Sequence, residues 1–277
     1  MECLDSIARV QTHTTIVIVD NNSLDETIER ITQWILDHPT IHVNLVRNET
    51  NVGFAKAVNQ GVNAIFNVQF SMFNGSPPDF FLLLNPDTVL ESSTIHNLMD
   101  EVMTDPMIAI VTPRLVSRTG LLRLNIGRFP TFLRLFLQAL RRKTAFGWII
   151  TNPKEYTFTH DIAWGAATCW LVRNAAWKKL NGFDEEYFLY IEDVDFCRRA
   201  RALRWRIRFV PQSVVIHHQQ LSVGPILLKA NKWELHGLLY YYQTTFPTHR
   251  LRLKFLRWFL MTKWKTKKIL RHGLGPV

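Results

Sequence analysis

The stretch FFLLLNPDTVLE, residues 80–91, constrains the fold of this 277-residue chain more than any other. Its apolar run from Phe80 to Leu84 predicts a strand that is buried on both faces. The strand has to end at Pro86, because proline has no backbone N–H to donate to a sheet ladder. Asp87 is therefore expected at the carboxyl end of a central strand, where open α/β sheets bind their ligands.

Two roles are open for Asp87. Its carboxylate can bind a hard divalent cation, with phosphate oxygens completing the coordination shell. Alternatively, Asp87 or Thr88 merely caps the helix that follows the strand. This stretch alone does not separate the two roles, so the surrounding motifs have to decide.

The length and composition fit one sizeable α/β core with an appendage. No apolar run reaches about 18 residues, so no transmembrane helix is predicted. The first ten residues carry acids and lack an apolar core, so they do not predict a secretory signal. Three scattered cysteines, Cys3, Cys169 and Cys197, indicate a reducing compartment and no disulfide framework.

The net charge of +10 is unevenly distributed along the chain. Residues 113–154 and 235–277 each contain nine Lys or Arg and no acid, which leaves the remainder net acidic. Basic segments usually bind phosphate in nucleic acids, anionic lipids or phosphorylated ligands. Bulky apolar residues interrupt both segments and no nucleic-acid-binding module is recognised, so nucleic acid is not a predicted partner.

Strand and helix patterns alternate through the first half of the chain. The predicted elements are helices over 2–10, 24–36 (capped by Asn22 or Ser23), 53–66 and 92–103, and strands over 15–19, 42–46, 80–84 and 108–111. This alternation predicts a mostly parallel sheet.

Two polar loops of this half are expected at the ligand edge of the sheet. The first, Asp20–Ser23, follows the strand over 15–19. The second is the turn from Asn51 to Gly53, which leads into a helix whose amino terminus can attract phosphate. Gly53 would allow a ligand close to the backbone. A turn or a helix cap is the simpler role for either loop.

The second half departs from this alternation. Residues 114–155 are basic and contain Gly and Pro, which predicts an excursion from the sheet that forms a flap. Strand character returns over 161–173, followed by a short helix that Asn174 caps and that runs to Leu180, and by a turn over 181–184. Further strands are predicted over 207–210 and 214–216.

Three carboxylates, Glu192, Asp193 and Asp195, begin a predicted helix. Acids in the first turn and arginines in later turns describe any stable helix. Carboxylates this close together also raise one another's pKa, as a general base requires. Farther on, His217 or His218 could bind a metal, although histidines after a strand are more often structural.

The segment from Pro225 is helical in pattern, and Pro247 divides it. Beyond Pro247, Arg250, Lys254, Arg257, Lys265 and Lys268 form one helical stripe among aromatic and aliphatic residues. A basic, aromatic-rich amphipathic helix predicts binding to an anionic membrane surface. Docking on its own domain or on a partner is the alternative.

Five motifs in order resemble the family 2 glycosyltransferases, and most of all their bacterial rhamnosyltransferase-like branch. The motifs are VIVDNNSLDET, RNETNVGFAKAVNQG, LLLNPDTVL, GFDEEYFLYIEDVDFCRRAR and IHHQQLS, within a resemblance that extends from about residue 2 to about residue 245. The resemblance implies a GT-A-type α/β fold, a Rossmann-like mixed sheet flanked by helices. It implies a nucleotide half over about 1–112 and an acceptor half over about 113–225. The helical pattern of the remaining residues, 226–277, predicts a basic helical tail.

The resemblance also implies a reaction. A sugar, rhamnose or another deoxysugar, would move with inversion from a nucleoside diphosphate donor to a glycan or lipid-linked acceptor in cell-surface polysaccharide synthesis. The enzyme would use Mg²⁺ or Mn²⁺ and would work in the cytoplasm, on the inner face of the cell membrane. An NAD-dependent oxidoreductase is excluded because GxGxxG does not follow the first strand.

The resemblance assigns roles to individual residues. Asp193 would be the general base, and Glu192 would help to orient the acceptor. Asp87 and His217 would hold the metal at the donor diphosphate. The implied donor-binding residues are Asp20, which would contact the nucleobase, together with Asn22, Asn51, Gly53, Asn59, Asn85 and Asp87.

The sequence departs from the family pattern in three places. Members of the family open with an apolar strand before the helix that residues 2–10 resemble, so we expect either an upstream start or a product that lacks one edge of its donor site. Gln219 and Gln220 stand where glycines are common, and the NPD motif lacks the first acid of a strict DXD. The alternative to an enzyme is a catalytically inactive remnant that binds a membrane or a partner protein.

Overall fold

The computed structural model describes residues 1–10, 15–72, 77–134, 148–218 and 227–248, together with residue 254. Three predictions fall outside the described residues. They are the membrane-binding stripe beyond residue 248 apart from Lys254, the part of the basic flap over 135–147, and the departure at Gln219 and Gln220.

The described residues form helices on both faces of a sheet. The helices are α1 (Glu2–Val10), α2 (Thr27–Asp37), α3 (Phe54–Met72), α4 (Thr94–Met103), α5 (Asn174–Leu180), α6 (Glu192–Ala202) and α7 (Leu227–Thr245), with a 3₁₀ turn at Pro153–Tyr156. The strands are β1 (Thr15–Asp20), β2 (His42–Arg47), β3 (Phe80–Leu84), β4 (Thr88–Leu90), β5 (Ile108–Val116), β6 (Leu122–Arg123), β7 (Ile126–Gly127), β8 (His160–Asp161), β9 (Trp164–Gly165), β10 (Cys169–Arg173) and β11 (Arg206–His217).

The main sheet is mixed, which confirms the mixed sheet implied by the resemblance and makes the mostly parallel prediction wrong. Its order is β3-β10-β5-β11-β4, with β6 added to β5 and β8 added to β11. Among the described strands of this sheet, only β5 and β11 pair in parallel, and β10 is antiparallel to both of its neighbours. The alternation of strands and helices fails as a guide because β3 and β4 are joined by three residues, too few for a crossover helix.

A second sheet consists of β1 and β2, which pair in parallel. It is separate from the main sheet, and a third small sheet is formed by β7 and β9. The strand β3, expected to be central, lies instead at the end of the main sheet's hydrogen-bonded order.

Two apolar clusters cover the main sheet, one on each face. Phe81 and Leu83 pack in the cluster beneath α3, α5, α6 and α7, whereas Phe80, Leu82 and Leu84 pack against the cluster beneath α1 and α4. The strand β3 is therefore covered on both faces, as its apolar run predicts. The loop over 85–87 consequently emerges between two packed layers.

Helix α7 contributes to the first of these clusters. Leu238, Tyr241 and Tyr242 are all buried there, with Tyr242 fully inaccessible. The sequence places this helix in the tail from residue 226, yet its apolar face packs on the same core as the strands. Within the described residues, no helix combines the length and the apolar character needed to cross a bilayer.

Two predicted helix caps are wrong. Helix α2 begins at Thr27 instead of Leu24, and Asp25 Oδ1 accepts the Thr27 backbone N–H, so neither Asn22 nor Ser23 caps it. The Asn174 side chain donates to the Pro78 carbonyl 2.8 Å away and does not cap α5. In the first case Asp25 binds the N–H at the start of the helix, and in the second the Asn174 side chain binds a carbonyl outside the helix, so the predicted caps do not form.

Candidate functional site

The first acidic cluster lies where α6 begins. Glu192 is buried, and its Oε2 has no hydrogen-bond partner among the described residues. Asp193 Oδ1 accepts the Val194 N–H at 2.8 Å, and its Oδ2 accepts the Ala167 N–H at 3.4 Å. Two backbone amides thus orient the Asp193 carboxylate and leave lone pairs for a substrate proton.

Burial decides the protonation of this pair. Desolvation raises the pKa of Asp193 to about 6, even though the two backbone amides act in the opposite direction. Desolvation, reinforced by the neighbouring Asp193 charge, raises the pKa of Glu192 well above its ordinary value. The Asp193 carboxylate is stabilised by two backbone amides, whereas Glu192 Oε2 has no partner among the described residues, so Asp193 is the better placed of the two to carry the negative charge.

The third acid of the cluster has a structural role. Asp195 is buried and forms ion pairs with Arg198 at 2.7 Å and with Arg199 at 2.6 Å. Arg199 also donates to the carbonyls of Leu180 and Gly182. Of the three crowded carboxylates, Asp195 is consequently the one whose oxygens are engaged in ion pairs with arginine.

The second acidic cluster is centred on Asp87. Its Oδ2 lies 3.2 Å from His217 Nε2, and its Oδ1 is buried without a hydrogen-bond partner in the described parts of the chain. Burial alone would raise the pKa of Asp87, but the hydrogen bond and the charge of His217 outweigh it and lower that pKa. Asp87 is thus held ionised.

The helix-capping alternative for Asp87 and Thr88 is wrong. Strand β4 follows this loop directly, and the next helix, α4, begins at Thr94. Thr88 Oγ1 donates to the Asn85 carbonyl at 2.6 Å, which closes the loop on itself. The loop therefore positions Asp87 without serving a helix.

The two adjacent histidines have different partners. His217 contacts Asp87, whereas His218 Nε2 lies 3.0 Å from Glu2 Oε2 on α1. Glu2 is also paired with Arg118. Of the two, His217 is the histidine beside the candidate metal-binding carboxylate.

A short segment joins the two acidic clusters. The Asn85 N–H donates to the Thr168 carbonyl at 2.9 Å, and the Ala167 N–H donates to Asp193. Two adjacent residues of one segment therefore contact the Asp87 loop on one side and Asp193 on the other. The fold brings together two carboxylates that lie about a hundred positions apart in the sequence.

A third group of predicted residues is organised by Asn21. Its side-chain amide donates to Asn51 Oδ1 at 3.0 Å and to the Gly53 carbonyl at 3.2 Å, and its Oδ1 accepts the Val52 N–H at 3.0 Å. Sequence reasoning missed Asn21 as a site residue, although it stands in the DNNS loop after β1. An amide there can bridge two loops, since it both donates and accepts.

Asp20, the predicted nucleobase contact, lies at the end of β1. It is buried, and its Oδ1 accepts the Ser23 N–H at 3.2 Å. Asn22 is exposed in a left-handed conformation, with φ of 67°. Asp20 thus ends β1, and Asn22 lies in the polar loop that follows it, which Asn21 connects to the turn over 51–53.

Asn59 makes contacts that the sequence does not foresee. Its Nδ2 donates to the Phe183 carbonyl at 2.9 Å, and its Oδ1 accepts the Phe183 N–H at 3.0 Å. Its side-chain amide is therefore used to hold the loop before α6 against α3. A role in binding a donor remains a prediction for this residue.

Gly53 allows a close approach by the protein itself. Its φ is +88°, and a Cβ added there would lie 2.6 Å from the Phe188 carbonyl oxygen. The same carbonyl accepts the N–H of Phe54, with the two atoms 2.6 Å apart. Glycine is needed at this position for its backbone conformation and for the contact with Phe188.

We therefore expect Gly53→Ala to loosen this turn. The left-handed conformation alone costs about 1–2 kcal/mol with a Cβ, and the contact with Phe188 adds to it. The midpoint temperature of thermal unfolding should therefore be several degrees lower than in the wild type, because each kcal/mol lowers it by about 2–4 °C. Gly120→Ala is the matched control, because Gly120 also has positive φ but meets no atom within 4 Å. Equal losses in the two variants would contradict the role of Phe188.

The residues at Asp87 fit a divalent cation, although they do not enclose it. Among the described residues, no group of three or more His, Cys, Asp or Glu side chains converges on one point. Asp87 and His217 supply an oxygen and a nitrogen, and Asp87 Oδ1 is a buried acceptor without a partner. A pair of this kind suits Mg²⁺ or Mn²⁺ that takes further ligands from a substrate's phosphates.

The chain is similar in sequence to curated relatives over more than half of its length. The chain is 26% identical over 217 residues to N-acetylglucosaminyl-diphospho-decaprenol L-rhamnosyltransferase of Mycobacterium tuberculosis, a match that covers 76% of this chain and 68% of the relative. It is 27% identical over 169 residues to rhamnosyltransferase WbbL of Escherichia coli, covering 59% of this chain and 61% of WbbL. The chain thus spans about six-tenths to two-thirds of the length of these relatives.

Solved structures share the fold. A mannosyltransferase from Pyrobaculum calidifontis, in complex with GDP-Man and Mn²⁺, matches with a TM-score of 0.58 and 15% identity, over 100% of this chain and 72% of that one. GalNAc-T7 with UDP, GalNAc and Mn²⁺ matches with a TM-score of 0.56 and 14% identity, over 97% of this chain and 54% of that one. Both likenesses establish the GT-A-type fold.

The family follows from a family model that matches more than half of the chain. The model of the family described as "Glycosyltransferase like family 2" matches residues 1–233, which include Asp20, Asp87, Asp193 and His217. This chain belongs to the family 2 glycosyltransferases.

Proposed function

We propose that the chain is an inverting, metal-dependent glycosyltransferase that moves a sugar from a nucleoside diphosphate to a glycan or lipid-linked acceptor. The observation that carries the proposal is the pair of acidic clusters on either side of the segment over 167–168. One cluster holds an ionised Asp87 beside His217, and the other holds Asp193 with a raised pKa. Two carboxylates with different environments are suited to two different tasks in one reaction.

Asp193 would act as the general base. As the acceptor hydroxyl oxygen attacks the anomeric carbon, the bond from that carbon to the diphosphate breaks, and the hydroxyl proton passes to Asp193. A pKa near neutrality makes the carboxylate a stronger base than an exposed aspartate. The buried Glu192 would help to orient the acceptor by donating a hydrogen bond in its protonated form.

Asp87 and His217 would hold the metal, and the loops at Asp20, Asn51 and Gly53 would hold the nucleotide. A bound Mg²⁺ or Mn²⁺ would supply positive charge to stabilise the departing diphosphate. Asn22, Asn59 and Asn85 are proposed to line the donor side. The main-chain carbonyl of Asn85 is already used by Thr88, which leaves its buried side-chain Oδ1 as the free acceptor.

The rate of transfer should fall as the pH falls through about 6. Only ionised Asp193 can accept the proton, and its pKa in the folded protein is raised to about 6. Below that pH, kcat/KM should decline by about tenfold per pH unit, as for loss of one essential base. Initial rates between pH 5 and 8 would measure this, with thermal unfolding followed over the same range as a control. A flat profile down to pH 5 in a folded enzyme would contradict the assignment.

The names of the relatives suggest the substrates. One acts on a diphospho-decaprenol acceptor and both are rhamnosyltransferases, so we propose rhamnose or another deoxysugar and a lipid-linked acceptor. The basic segments over 113–154 and 235–277 would keep the enzyme on the anionic inner face of the cell membrane. The proposed division places the nucleotide half over 1–112 and the acceptor half over 113–225, with the remainder as the tail.

A transfer assay would test the reaction. The purified chain would be given a panel of uridine, thymidine and guanosine diphosphate sugars, Mn²⁺, and a polyprenyl diphosphate bearing one N-acetylglucosamine. Mass spectrometry would detect an acceptor heavier by one sugar, and NMR of the product would report inversion. Release of free sugar without a glycosylated acceptor would argue against this acceptor class.

One observation favours the inactive remnant as a second candidate. The strands β1 and β2, next to the proposed nucleotide loops, form a sheet separate from the main one. A donor site built across two separate sheets is less rigid than one built on a single sheet. Nucleotide binding distinguishes the two candidates, because a remnant should not bind a nucleoside diphosphate.

A further inference from the structure

The loop over 187–191 contacts both halves of the proposed site. At one end, the Phe188 carbonyl accepts the N–H of Phe54 at 2.6 Å and lies against Gly53, in the proposed donor turn. At the other end, Ile191 directly precedes Glu192 and Asp193. Its carbonyl accepts the Asp195 N–H at 2.8 Å, in the first turn of α6.

The backbone of this loop is strained where it meets the base. Tyr190 and Ile191 both have left-handed conformations, with φ of 72° and 74°. Such a conformation is costly for any residue with a side chain, and most of all for β-branched isoleucine. Two consecutive residues of this kind persist only if their surroundings hold them.

Helix α7 supplies those surroundings. The Trp233 ring stacks on the Phe188 ring, with centroids 4.4 Å apart and planes at 29°. The Tyr240 ring meets Tyr187 edge-on at 5.1 Å, and a Cβ added at Gly237 would lie 3.0 Å from the Tyr190 carbonyl oxygen. Positions 233, 237 and 240 are spaced by four and three residues, so one face of the helix covers the whole loop.

The Trp233–Phe188 contact differs from the rest of this interface. Tyr187 is buried in the core, whereas Phe188 and Trp233 both retain exposed surface. Their stacking therefore adds little to the apolar core. It fixes the residue whose carbonyl holds the donor turn.

We propose that Trp233 is a positioning residue that couples the donor turn to the catalytic base. By holding Phe188, it fixes one short loop whose two ends place Gly53 and Asp193. Ordering of the donor turn by a bound nucleotide then also orders the start of α6. This inference rests on the proposed function for its kinetic consequences, but the coupling itself is a property of the fold.

The test compares Trp233→Ala with Trp233→Phe in the 277-residue chain, with Lys232→Ala as the control on an exposed neighbouring position of α7. Trp233→Ala should weaken nucleoside diphosphate binding by about five- to tenfold, the worth of an aromatic stack. It should also shift the midpoint of the pH–rate profile, which a merely structural loss would not do. Trp233→Phe keeps a stacking ring and should restore most of both properties.

Hydrogen exchange separates this inference from the proposed function. The Phe54 amide, bonded to Phe188, and the Asp195 amide, bonded to Ile191, should both exchange faster in Trp233→Ala, whether or not the chain transfers sugar. Faster exchange at both amides with no nucleotide binding by the wild type would retain the coupling and overturn the proposed function. Unchanged exchange at either amide in folded Trp233→Ala would overturn the coupling, and so would a change in donor affinity with an unchanged pH profile.

Discussion

Replacing Asp193 with asparagine should lower kcat for sugar transfer by roughly 10²- to 10⁴-fold, the usual contribution of a general base. The amide has the same shape, and its single oxygen can still accept the Val194 N–H, but it cannot take up the proton of the acceptor hydroxyl. Affinity for the nucleotide donor should stay within about twofold, because Asp193 takes part in proton transfer and not in donor binding. Single-turnover rates and donor titration would measure the two quantities.

Glu186→Gln is the matched control for this experiment, since Glu186 is an exposed carboxylate of the same loop region. It should leave both kcat and donor affinity unchanged. If Asp193→Asn retained most of the wild-type rate, another group would have to be the base.

Replacing Asp87 with asparagine should have the complementary effect. The neutral amide removes the charge that His217 stabilises, together with one oxygen of the proposed metal site. Binding of a nucleoside diphosphate in Mn²⁺ should weaken by about a hundredfold, or about 2.7 kcal/mol. The variant should then bind with the same low affinity whether Mn²⁺ is present or absent.

A second variant guards against a general loss of structure. His217→Gln keeps a polar side chain beside Asp87 and should weaken Mn²⁺-dependent binding by less than Asp87→Asn does. Asp87→Asn that still binds the nucleotide more tightly with Mn²⁺ than without it would show that the metal lies elsewhere.

Local patterns predicted much of the framework. The apolar run before Pro86 is a strand covered on both faces, and the acidic stretch at Glu192 begins a helix. Both follow from backbone chemistry and apolar burial within a few residues. The five motifs in order predicted the family because they are spread over most of the chain.

Local sequence patterns could not predict the contacts between residues that lie far apart in the sequence. The Asn59 side chain donates a hydrogen bond to the carbonyl of Phe183, 124 positions away, and the Asn85 N–H donates one to the Thr168 carbonyl, between the two acidic clusters. Nothing in the local sequence distinguishes these partners from other carbonyls. The same limitation explains why the sequence did not identify Asn21 as a site residue. It also explains why Asp195 was grouped with the candidate base, since only the structure shows its ion pairs with Arg198 and Arg199.

The prediction of the sheet topology was wrong for a related reason. Strand β10 is antiparallel to β3, and no periodicity in the sequence over 114–168 indicates its direction. The position of β3 at the end of the main sheet likewise depends on which strands pair, and not on its own apolar residues.

Calorimetric titration of the 277-residue chain with uridine, thymidine, guanosine and adenosine diphosphates, each with and without Mn²⁺, tests most directly whether Asp87 and Asp193 serve one nucleotide-sugar cleft. We expect one nucleotide to bind about a hundredfold more tightly with Mn²⁺ than without it. Asp193→Asn should keep this Mn²⁺-dependent affinity, and Asp87→Asn should lose it. If the folded protein bound none of the four, the donor site would not exist in this chain, and the inactive remnant would be the better description.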